Sequence, residues 1–107
     1  MNKYEKLTAD LKEAYEGANR FSIGENDEGT ANVDATFLKL KGWNESKTIE
    51  AIKNAGLYCR AKTKWIGEGY MLSVGCGQGN RRTVARNRFL HILRSKGYSV
   101  LAFDKMD

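Results

Sequence analysis

Thiol and imidazole chemistry are nearly absent from this chain of 107 residues, which has two cysteines and one histidine. Cys59 and Cys76 lie too far apart for a Cys-x-x-Cys motif, and only His91 remains as a nitrogen ligand, which argues against a zinc site. Long uncharged runs are also missing, so the sequence predicts neither a transmembrane helix nor a signal peptide, and the expected compartment is the cytoplasm. No residue set spells out a reaction. The expectation is a non-enzymatic protein without cofactor or metal. A chain of this length makes one domain with a single modest core.

Acids are scarce in one half only. Residues 51–107 set eleven lysines and arginines against Glu68, Asp104 and Asp107, a balance of +8, whereas residues 1–50 set seven against ten acids, a balance of −3. Such asymmetry points to an acidic partner, nucleic acid or an acidic protein surface, and not to a membrane.

The periodicities divide residues 1–107 into an N-terminal helix (1–20), an acidic loop (21–30) and a mixed core (31–105). In the helix, Tyr4, Leu7, Leu11, Ala14, Tyr15 and Ala18 recur at helical spacing. The loop carboxylates Asp27 and Glu28, even with Asp34, match no calcium-binding spacing. Val33, Thr36, Phe37, Leu38 and Leu40 form a first strand over 32–41. Asn44 to Lys47 then supply caps for a helix that ends at Gly56. Residues 57–65 alternate throughout, with Leu57, Cys59, Ala61, Thr63 and Trp65 on one face and Tyr58, Arg60, Lys62 and Lys64 on the other. A loop from Ile66 to Gly69 would pair Trp65 with Tyr70 and set the three cations opposite Met71, Ser73 and Gly75. A helix over 80–96, with Asn80 as its cap, and a strand over 98–103 complete the chain.

The central stretch runs from Gly69 to Phe89: an apolar strand, glycines at 75, 77 and 79, and a helix whose first turns carry Arg81, Arg82, Arg86 and Arg88. Backbone N–H groups of such a loop and helix start can seat an anion. Positive charge at a helix N-terminus works against the macrodipole, so the arginines read as ligand-directed. The predicted phosphate-binding set is Arg60, Lys62, Lys64, Gly77, Gly79, Arg81, Arg82, Arg86 and Arg88.

The order strand, helix, strand, strand, helix, strand resembles the ferredoxin-like, or split βαβ, arrangement. The resemblance implies an α+β fold: a βαββαβ antiparallel sheet with two helices on one face and the added N-terminal helix available to cover the other. Gly77 to Arg86 is similar to the final segment of double-stranded RNA-binding domains, where basic residues at a helix start clamp phosphates. It departs from them by one residue in spacing and by the strand that follows the helix. Val74 to Gly79 resembles the glycine loop of S-adenosylmethionine methyltransferases, a family that needs a much longer parallel sheet. As a short ferredoxin-like chain without catalytic motifs, the protein also resembles small phage-encoded regulators and inhibitors, anti-CRISPR proteins among them. The first expectation is a nucleic-acid-binding module for DNA or RNA; the second is an inhibitor that occupies a protein surface or nucleoprotein complex.

Overall fold

The computed structural model describes residues 1–24, 32–74 and 79–106. Asn2 starts the first helix: its side chain accepts from the Tyr4 and Glu5 N–H groups, while Glu5 accepts from the Asn2 N–H, a reciprocal capping box. This helix, α1 (Lys3–Ser22), runs two residues past the predicted end at residue 20. Gly17 does not stop it, because glycine there serves packing. A Cβ at that position would sit 2.8 Å from Ile92 Cδ1, so its absence lets α1 approach a later helix closely.

The rest follows as β1 (Asn32–Lys39), α2 (Glu45–Asn54), β2 (Thr63–Trp65), β3 (Gly67–Leu72), α3 (Gly79–Ser95) and β4 (Ser99–Met106). Asn44 caps α2 by accepting from the Lys47 N–H, and Gly56, at φ +87°, follows its end as the sequence predicts. Helix α3 begins at Gly79, so Asn80 lies inside its first turn. The described residues thus form an α+β structure of three helices and a four-stranded antiparallel sheet in the order β2-β3-β1-β4.

Alternation along the strands gives the sheet two unlike faces. Leu38, Tyr70, Leu72 and Val100 join Leu7, Leu11, Ala14 and Ala18 of α1, Ala51 and Ile52 of α2, and Ala85, Phe89 and Leu93 of α3 in one core. Each fully buried leucine here stabilises the fold by roughly 1.5–3 kcal/mol. Helix α1 is therefore not the cover of the opposite face, as expected from sequence. It packs against α3 and α2, on the side where those helices already lie.

The opposite face carries Ala35, Phe37, Met71, Leu101 and Phe103, by their registers with one another. Its cover is Trp65. The predicted strand over 57–65 shrinks to Thr63–Trp65, and its register differs from the expected one. Thr63 pairs with Gly69, Lys64 with Glu68 and Trp65 with Gly67, where Trp65 was expected opposite Tyr70. Gly67, at φ +78°, allows the tighter turn. The slip is odd-numbered, so it sends Trp65 to the other face. There its indole meets Phe37 edge-to-face at 5.4 Å and Phe103 at 5.0 Å between centroids. Phe37 is fully buried as a result. Gly69 permits this fold-over, since a Cβ would lie 2.7 Å from Phe37 Cζ and 2.8 Å from the Leu38 carbonyl oxygen.

Candidate anion-binding surface

The predicted phosphate set divides into two places. At the start of α3, the geometry turns cations inward. Arg86 is 4% exposed: Nη1 donates to the carbonyl oxygens of Ala35 (3.3 Å) and Phe103 (3.0 Å), Nε donates to Asn87 Oδ1 (2.8 Å), and Nη2 lies 2.8 Å from Asp104 Oδ1. Arg86 is thus a tie between α3 and the two strands β1 and β4, and its expected exposure to a phosphate is corrected. Beside it the Thr83 hydroxyl donates to Asp34 Oδ2 at 2.6 Å, and Asp34 is itself buried. Partial burial raises the Asp104 pKa, but hydrogen bonds from Arg86 and with Asp34, and the Arg86 charge, outweigh it and leave the carboxyl below its usual range.

Two more of these arginines meet α1. Arg81 Nη2 donates to Asn19 Oδ1 at 3.1 Å, and the Arg88 guanidinium lies 4.6 Å from the centre of the Phe21 ring, a cation–π contact. Arg82 is half-buried and also engaged. Gly79 is the first residue of α3. Gly77 lies outside the described residues, with the rest of the loop over 75–78. An open cleft of about 610 Å³ between α1 and α3 is lined by Arg20, Phe21, Arg88 and His91 among others.

The second place is the end of the sheet beneath the β2–β3 hairpin. Arg60 and Lys64 are exposed, and Lys62 keeps 31% of its side chain in solvent. The register puts Lys64 opposite Glu68, not opposite Met71 as expected. Lys62 Nζ stands 3.7 Å from Glu68 Oε2, whose side chain is 70% exposed, a loose pair of the kind worth at most about 1 kcal/mol. The Lys62 backbone N–H donates to Glu45 Oε2 (3.2 Å) and holds the segment before β2 against α2.

Lys62 lines a cleft of about 310 Å³ together with Lys39, Leu40, Lys41, Gly42, Gly67, Glu68 and Tyr70. Three lysines and one glutamate line it, with the Glu45 carboxylate next to Lys62, so the lining has net positive charge and suits an anion. Lys39 and Lys41 escape sequence reasoning because they fall in the acidic half of the chain. Only the antiparallel pairing of Leu38 with Tyr70 brings the end of β1 beside the hairpin. Tyr70 is almost fully buried, and burial pushes its hydroxyl pKa up.

Fold and surface together define a small α+β protein with a lysine-lined cleft at one end of its sheet. No family model, curated protein or solved structure matches the chain. No helix among the described residues is long and apolar enough to cross a membrane.

Proposed function

We propose that this protein is a non-enzymatic module that binds the phosphate backbone of nucleic acid at the hairpin end of its sheet. The observation that carries this reading is the cleft in which Lys39, Lys41 and Lys62 converge, with Lys64 and Arg60 nearby on the surface. Ammonium groups bind phosphate as point charges and release counterions from the polymer, so affinity should depend steeply on salt and weakly on sequence. A titration of DNA and RNA at two salt concentrations tests the reading. Changing Lys39, Lys41 and Lys62 together to Gln should lower affinity at low salt by at least about tenfold and flatten the salt dependence by about 0.7 (single strand) to 0.9 (duplex) per lost phosphate contact. Equal binding by the triple variant, or no salt-sensitive binding by the parent, rejects it.

The ferredoxin-like arrangement belongs to the same proposal. It is supported by two crossovers, β1–α2–β2 with β3 inserted between the parallel strands and β3–α3–β4 with β1 inserted. The departure from a regular sheet is β2, a three-residue strand paired only with the first half of β3.

A second reading, a phage-type inhibitor that binds a protein, is favoured by the exposed Phe21, which lines the α1–α3 cleft, and by the exposed Ile23 and Tyr58. Protein partners retained from a nuclease-treated lysate would favour it, and their loss on nuclease treatment would favour the first.

A further inference from the structure

We infer that Trp65 is a stacking platform for an unpaired base, so that the nucleic acid held at the hairpin is single-stranded; this rests on the phosphate-binding reading above. Trp65 remains 41% exposed although two aromatic rings support it, and its neighbour Ile66 is 51% exposed. The support is firm. Phe37 and Phe103 meet the indole at interplanar angles of 88° and 85°, so little side-chain freedom is left to lose when a base stacks on it. A cation stands close to it. Lys39 crosses the hairpin so near that a Cβ at Gly67, the cross-strand partner of Trp65, would lie 3.4 Å from Lys39 Nζ, whereas Lys64, paired with Glu68, belongs to the other face of β2. A base on the indole therefore has its phosphates within reach of Lys39. Base-to-aromatic stacking beside a cationic track is how single strands are held without sequence preference. A duplex keeps its bases inside its own stack and gains nothing from the indole.

The test compares three probes on the full chain: a short oligothymidylate, an abasic oligonucleotide of equal length, and a duplex. The chain is labelled with 5-fluorotryptophan, and Trp43 serves as internal reference. The oligothymidylate should shift the Trp65 resonance and leave Trp43 in place, and it should bind more tightly than the abasic strand. Trp65→Leu, which keeps an apolar cover over Phe37, should lower oligothymidylate affinity on the order of tenfold. Its affinity for the abasic strand should stay within about twofold, since the phosphate contacts are untouched. Trp65→Phe, which keeps an aromatic face, should retain most of the affinity and assigns the resonance should the leucine variant not fold. Equal affinity for thymidylate and abasic strands, with an unmoved Trp65 resonance, overturns the stacking inference and leaves the phosphate reading standing. Failure of all three probes to bind overturns both.

Discussion

A buried guanidinium is stable only when its N–H groups find acceptors, and Arg86 finds them in two backbone carbonyls, the Asn87 side chain and Asp104. Arg86→Gln removes the charge and cannot span all four. We expect a loss of about 2–3 kcal/mol, discounted from a fully buried pair because Asp104 is largely in solvent, and unchanged affinity for any polyanion. Thermal melting and a binding titration check this together; a stable variant with weakened binding would return Arg86 to the binding surface. Gly69→Ala should also cost stability, on the order of 1–3 kcal/mol, because its Cβ meets the Phe37 ring and the Leu38 backbone at under 3 Å. A variant as stable as the parent in urea would mean that the hairpin does not press on Phe37. From sequence Arg86 looks like Arg82, since both stand on the basic side of one helix. The carbonyl acceptors that Arg86 meets come from β1 and β4, distant in the chain.

At the scale of elements, α1 is held to the C-terminal part of the fold by a polar cluster. Asp10, nearly buried, accepts from Lys6 Nζ and from the Tyr98 hydroxyl, each at 2.6 Å, with Lys96 Nζ at 3.7 Å. Burial raises the Asp10 pKa, but hydrogen bonds from Lys6 and Tyr98 and the charges of Lys6 and Lys96 bring it below its ordinary 3.8. The Tyr98 hydroxyl is displaced upward from 10.0 by burial and by its bond to Asp10. A depressed carboxyl stabilises the fold above its unfolded pKa and loses that contribution as pH falls through the folded value; a raised phenol stabilises it below pH 10.0 and loses that contribution as pH rises. Melting temperature should therefore stay level between about pH 5 and 9 and drop on both sides. Asp10→Asn should make the acid limb shallower, and an unchanged limb would exclude Asp10 as its source. The first two helices were legible because the apolar spacing of α1, and the Asn44 cap and Gly56 of α2, act locally. Strand β2 was not: residues 57–65 alternate well enough for a long strand, but a turn at Ile66-Gly67 starts the pairing early and the segment 57–62 stays outside the ladder.

Over the whole molecule, composition already concentrates positive charge in residues 51–107, but folding redistributes it. The arginines of α3 serve partly to dock that helix on α1 and the sheet, while Lys39 and Lys41 from the acidic half join Lys62 at the hairpin. The sequence by itself determined what depends on near neighbours: helix periodicity, the Asn44 cap and C′ glycine of α2, and the charge balance of each half. The tertiary structure alone decided the face of Trp65, the burial of Arg86, the side on which α1 lies and which lysines share a cleft. Those are set by register and packing between segments far apart in the chain, and a shift of one odd step in register exchanges the two faces of a strand without changing a residue.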